Sequence, residues 1–143
     1  MRPIARRTRT FRGEEGAAAV EFALVCTVLF MLLFGILEFG QAYSQYQVFQ
    51  GAAREGARVA AVAASNVPPL DSGDVEARVV EAADPFDVTG PVEVSVEGGG
   101  SICTDATRGK HVTVKWRQIF DIQLPFVPPL DTRTWIQAVF RCE

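Results

Sequence analysis

Residues 14–43 read EEGAAAVEFALVCTVLFMLLFGILEFGQAY. No charged side chain interrupts the run from Phe22 to Leu37. With its small and apolar flanks the segment exceeds twenty residues, about 30 Å of helix and enough to cross a bilayer. Arg2, Arg6, Arg7, Arg9 and Arg12 precede it, against Glu14 and Glu15. Positive charge before a span holds that side in the cytoplasm, so the remainder of the chain is expected outside. Glu21, just inside the run, calls for an explanation. A carboxylate at mid-span costs about 2.5–3.5 kcal/mol on insertion scales, and less near an end.

The helical pattern continues past the apolar run. SQYQVFQGAAREGARVAAVAAS, residues 44–65, has no proline, and apolar or small residues recur at Val48, Ala52, Ala53, Gly56, Val59, Ala60 and Ala63. Val67, Pro68 and Pro69 close it. The chain therefore divides into a basic leader over residues 1–16, one long helix over 17–64, and a small domain over 65–143. About 20–43 of the helix would lie in the membrane and 44–64 would project from it. Gly40, Gly51 and Gly56 are places where such a helix could bend.

In the small domain, Ser72 is a candidate N-cap for a short helix with apolar positions Val75, Val79, Val80 and Ala83, stopped by Pro85. Val92, Val94 and Val96 alternate as in a half-buried strand, as do Val112, Val114 and Trp116. The closing stretch TRTWIQAVFRCE reads as a third strand, with Thr134, Ile136, Ala138 and Phe140 as its more apolar face. Helix, strand, strand, strand predicts an α+β domain with a three-stranded antiparallel sheet. Its apolar face needs a cover, and the alanine-rich end of the long helix is the expected one.

Composition narrows the function. Net charge is −3, with a basic leader on an acidic body. There is no basic face or zinc-finger spacing, so nucleic acid is not an expected partner. Cys26 sits in the apolar run, where it reads as an inert apolar residue. Cys103 and Cys142 fall in the outer domain, where oxidation to a disulfide is open to them. With the single His111 they are too few for a zinc site. EGGGS, residues 97–101, is a turn rather than a phosphate cradle, because no helix starts after it. No nucleophile–base set stands out, so no enzyme, cofactor or metal is expected.

Gly16 stands directly before the helix, and Glu21 is the fifth residue after it. That arrangement resembles the processing site of type IV prepilins: basic leader, terminal glycine, apolar helix, glutamate at mature position five. Val20-Glu21-Phe22-Ala23-Leu24, Gly35, Glu38, Gly40 and Ala53-Arg54-Glu55-Gly56-Ala57-Arg58 further resemble the TadE-like family of tight-adherence (Tad) pilus systems. The resemblance implies a type IV pilin-like fold and a minor pilin or pseudopilin supporting a Tad/Flp-type pilus or secretion machine. It implies a single-pass protein of the bacterial cytoplasmic (inner) membrane, in contact with lipid. A prepilin peptidase would cut between Gly16 and Ala17. Other Tad pseudopilins, the major pilin and the inner-membrane pilus platform are the implied partners.

Two readings are open at several positions. Glu21 is either an interfacial carboxylate at a helix start, or the counter-ion of the α-amino group that cleavage would expose on Ala17 of a neighbouring subunit. Glu38 is an interfacial carboxylate or a partner for another helix. Arg54 and Arg58 share one helix face beside Glu55. They form a solvated stalk, or bond carboxylates and carbonyls where Gly51, Ala53, Gly56, Ala57 and Ala60 permit close packing with the sheet or with another pseudopilin. For the whole chain, the alternatives to a pseudopilin are an unprocessed single-pass binding module and a secreted protein cut near Ala42 and Ser44.

Overall fold

The computed structural model describes residues 14–66, 68–123 and 128–143. Residues 1–13, most of the expected leader, lie outside the described residues, as do Val67, one of the residues expected to close the long helix, and residues 124–127. One helix dominates: α1, Glu14–Ala61, 48 residues and about 70 Å long. It is one uninterrupted α-helix through Gly35, Gly40, Gly51 and Gly56. It begins three residues before the expected start and ends three before the expected stop. At Val62 the backbone turns to φ −107° and ψ 12°, and a single 3-10 turn, Ala63–Ser65, follows before Pro68.

The two halves of α1 differ in what surrounds them. From Gly16 to Gln41 no residue is fully buried, and Val20, Phe22, Leu24, Leu29, Ile36 and Phe39 are among the exposed large side chains. Thr27 Oγ1 donates to the carbonyl of Ala23 at 2.8 Å, so its hydroxyl is satisfied within the helix. From Phe49 onward one stripe closes. Phe49, Ala52, Ala53, Ala57 and Ala60 are all at most 1% exposed.

A second helix, α2, spans Ser72–Ala83. Its N-cap is Asp71 rather than Ser72. The Asp74 amide donates to Asp71 Oδ1 at 3.0 Å, and the Asp71 amide to Asp74 Oδ2 at 2.9 Å. This reciprocal box satisfies two otherwise orphaned donors, and Ser72 becomes the first helical residue. Val75, Val79 and Ala83 face the core as expected. Val80 does not: one residue beyond Val79 the helix has turned by about 100°, and Val80 is 50% exposed.

The sheet comprises β1, Glu93–Val96, β2, His111–Ile122, and β3, Leu130–Arg141, in the order β1-β2-β3 and antiparallel throughout. Val94 faces Val114, Trp116 faces Ile136, and Arg117 faces Trp135. The even-numbered residues of β2 and β3 therefore share the inner face. Val112, Val114, Trp116 and Ile136 are fully buried there. Phe140 shares that face opposite Val112, but it lies near the end of an edge strand and stays 38% exposed. The C-terminal half of α1 covers this face and α2 packs its inward stripe on α1, joining the same core and completing a two-layer α+β domain. Each fully buried large side chain contributes about 1.5–3 kcal/mol, so the aromatic group of Phe49, Trp116 and Phe120 weighs most. Phe49 sits edge-on to Trp116 at 6.3 Å and to Phe120 at 5.9 Å.

One polar residue is placed inside this core. Gln118, 2% exposed, accepts from Trp116 Nε1 at 3.0 Å and from the Thr89 amide at 3.2 Å. Its Nε2 donates to the Asp87 carbonyl at 3.1 Å. A single side chain thus fixes the loop between α2 and β1. Gly90 in that loop lies so close to β2 that a Cβ would meet the Arg117 carbonyl oxygen at 2.6 Å. At the far end, Cys103 and Cys142 are joined with Cα atoms 5.5 Å apart. Beside them the Cys103 amide donates to the Ala60 carbonyl at 3.3 Å, and the Glu143 amide to the Ala61 carbonyl at 3.2 Å.

Candidate functional site

Gly16 and Ala17 fall in the first turn of α1, with open space around the Gly16 Cα. Ala17 and Glu21 are four residues apart and so on one face, about 6 Å along the axis. Glu21 is exposed; Glu38 is partly covered by its own helix surroundings. Neither has a hydrogen-bonding or ionic partner among the described residues. They mark two ends of an otherwise uncharged stretch whose length and composition suffice to cross a membrane.

On this stretch the side chains leave a shallow apolar groove of about 670 Å³, lined by Val28, Met31, Leu32, Gly35, Ile36 and Phe39 among others. Gly35 is its floor: nothing lies within 4 Å of where its Cβ would be. A small residue framed by large apolar ones lets a second helix approach closely in lipid. A smaller groove, about 190 Å³, continues where α1 parts from the sheet, between Tyr43 and Tyr46 on one side and Phe120 and Ile122 on the other. The exposed apolar surface of α1 therefore runs on into the crevice under the sheet, the two grooves sharing Phe39 and Tyr43.

The Arg54, Glu55 and Arg58 cluster is divided by the fold. Arg54 and Arg58 are exposed and, among the described residues, bond no carboxylate or carbonyl through their side chains. Glu55 turns toward α2, where Arg78 donates from Nη2 to Glu55 Oε1 at 3.0 Å and from Nη1 to Glu81 Oε2 at 2.8 Å. Those bonds, with Glu81 first and Glu55 second, hold the Arg78 pKa above its ordinary value. The small residues around them pack inside this chain. A Cβ on Gly56 would overlap Val79 Cγ2 and touch Val114 Cγ1 at 3.6 Å. Ala53, Ala57 and Ala60 are fully buried, whereas Gly51 is exposed.

Sequence reasoning missed three features. The bond from Arg78 to Glu55 was invisible, because Glu55 is 23 residues away, whereas Glu81 lies at ordinary helical spacing. Gln118 carries no motif of its own, although its even position beside Trp116 set it on the inner face. The third is the outer sheet face, where Lys115 Nζ and the Arg117 guanidinium lie 5.4 and 5.5 Å from the Trp135 ring centre. The odd-register spacing of these residues was its signal.

A long apolar helix, half of it bare and half packed on a small antiparallel sheet, is the architecture of a membrane-anchored, pilin-like protein. Residues 16–58 match the family model described as TadE-like protein, which supports the family assignment drawn from the motifs. The matched segment holds Gly16, Glu21, Glu38 and the Arg54–Arg58 cluster. This likeness points to a Tad pilus-related minor pilin with a membrane-type N-terminal helix. No curated protein and no solved structure matches the chain.

Proposed function

We propose that this chain is a minor pilin or pseudopilin, an assembly protein rather than an enzyme, that a prepilin peptidase cuts between Gly16 and Ala17. The bare half of α1 anchors it in the bacterial inner membrane, with the residues before Gly16 in the cytoplasm and the sheet domain outside. Cleavage turns the Ala17 nitrogen into an α-ammonium with an ordinary pKa near 8. In low dielectric that cation seeks a carboxylate, and Glu21 is the first one in the processed chain. A neighbouring subunit's Glu21 then fixes the axial offset between copies. Other Tad pseudopilins, the major pilin and the pilus platform are the partners that this reading assigns.

The observation that carries the reading is the bare apolar half-helix with Glu21 placed five residues after Gly16. Mass analysis of the membrane-bound form, with and without the peptidase, tests it. The processed chain begins at Ala17 only when the peptidase is present. Glu21→Gln is expected to insert normally and to abolish pilus output; normal output refutes the assembly role of Glu21. One observation favours a second reading. Gly16 and Ala17 are already helical, whereas a peptidase needs extended backbone at the bond it cuts. An unchanged mass in both strains selects the unprocessed anchor.

A further inference from the structure

The outer domain carries two exposed patches of opposite charge on opposite sides. The first lies on the sheet face turned away from both helices. At its centre Trp135 is 49% exposed, flanked by Arg117 directly opposite and by Arg133 two residues earlier on the same strand. Ile119 and Val139, 40% and 51% exposed, extend it in apolar character. An exposed tryptophan ringed by arginines has the composition of an interface centre rather than of a plain solvated strand. The second patch lies on the face of α2 turned away from the core. Val80 is its apolar centre, with Ala77 beside it and Glu76 and Asp84 four residues before and after Val80. Among the described residues Arg117, Arg133, Glu76 and Asp84 form no ion pair.

We propose that these patches bind each other between copies of this chain, the Trp135 face of one against the Val80 face of α2 of the next. Each patch has an apolar centre: around Trp135 stand Arg117, Arg133 and Lys115, the last tied to Glu93, and around Val80 stand Glu76 and Asp84, so the unpaired charges are complementary in sign. The inference rests on the membrane reading in one respect: copies anchored through α1 share one orientation. Parallel copies bring unlike faces together side by side, and each added copy leaves one patch of each kind free. The contact is therefore heterologous and open-ended.

The patches also differ in height. Trp135 pairs with Arg117 beside Trp116, which packs on Phe49 of α1, whereas the core side of α2 packs on Gly56. Those seven residues of helix correspond to about 10 Å. Joining the patches displaces one copy by about that distance along the axis of the other. The contact thus sets an axial stagger of about 10 Å between neighbouring copies.

The test uses two differently tagged full-length copies co-expressed in the same membranes and recovered in mild detergent. Two variants are made. One carries Arg117→Glu and Arg133→Glu, which makes both of its patches acidic; the other carries Glu76→Arg and Asp84→Arg, which makes both basic. Wild-type copies are expected to co-purify. Either variant paired with itself is expected to fall at least ten-fold, and the two variants paired together are expected to recover. Recovery excludes misfolding as the cause of the loss. Wild-type copies that do not co-purify, self-pairing that survives reversal, or a mixed pair no better than a self-pair each overturn the proposal. Pilus output is not the readout, so these outcomes are independent of the assembly function.

Discussion

Gly56 is where a single methyl group decides how α1 packs. Gly56→Ala gains about 0.8–1.0 kcal/mol of helix propensity in an α-helix interior. Here the new Cβ would overlap Val79 Cγ2 and meet the γ-methyls of Val114 and Val75 at 3.6 and 3.7 Å. All three valines are fully buried, and β-branched side chains cannot rotate aside cheaply. Overpacking of this kind costs about 1–3 kcal/mol, so the net change is a loss of up to about 2 kcal/mol. Gly51 supplies the internal comparison: it lies on the same helix with nothing within 4 Å of a Cβ. Gly51→Ala is expected to stabilise by up to about 1 kcal/mol. Both variants are to be unfolded in urea, in detergent, with the disulfide intact and tryptophan fluorescence as the probe, its change dominated by the buried Trp116 rather than the half-exposed Trp135. Adding Val79→Ala to Gly56→Ala should offset part of the loss, a non-additive result expected of neighbours in contact. If Gly56→Ala matches Gly51→Ala in stability, the close approach of α1 and α2 argued here is wrong.

Other consequences are equally direct. Gln118→Met keeps the volume but leaves the Trp116 Nε1–H, the Thr89 amide and the Asp87 carbonyl without their partner; at about 1–3 kcal/mol for a stranded group, a loss of at least 2 kcal/mol is expected in the same urea titration. Replacing Cys103 and Cys142 by serine opens a loop with a sequence separation of 39 and should cost about 2–4 kcal/mol, read as a lower urea midpoint that reductant reproduces in wild type. His111 lowers the Glu97 pKa, first through a side-chain hydrogen bond at 3.2 Å. A lowered folded-state pKa means that the carboxylate stabilises the fold above its ordinary value of 4.5 and that this contribution is lost as pH falls through the folded value. Glu97→Gln should therefore flatten the acid side of the stability profile and leave thermal unfolding above pH 5 nearly parallel to wild type; an unchanged acid limb refutes the pairing.

Periodicity made the architecture legible because burial obeys it. The apolar run, the alanine stripe and the three alternating strands each have one face that must leave water, and the sheet found its cover in the predicted half of α1. The exact ends were less visible. Asp71 outcompeted Ser72 as the cap because Asp74, three residues on, could answer it, a pairing that needs both side chains in place. Val80 looked as apolar as Val79, and only the rotation of the helix separated them. At the candidate site, Gly16, Glu21 and Glu38 were legible as a linear motif on one helix. The Arg54–Glu55–Arg58 cluster was not, because its outcome depends on Arg78 in another element. Close packing at Gly56 was one of two open readings; it occurs within the chain, against Val114 of the sheet as that reading allowed and also against α2, which it did not name.

The hydrogen bonds that tie Cys103 and Glu143 to the end of α1 have a mechanical consequence. β3 runs alongside α1, its Thr132 and Thr134 near Tyr43 and Tyr46 and its far end beside Ala61. A force drawn along the bare end of α1 therefore slides the helix lengthwise across the sheet. Sliding must shift Phe49, Gly56 and the alanines between them out of their seats together, whereas a peeling force would release them one at a time. The bridge between Cys103 and Cys142 joins the two segments that hydrogen-bond the end of α1, so they resist as one unit while the helix is pulled. Resistance to such a load is set by the rate of unfolding rather than by equilibrium stability. The small-residue stripe thus makes the rod and its domain a single tension-bearing part.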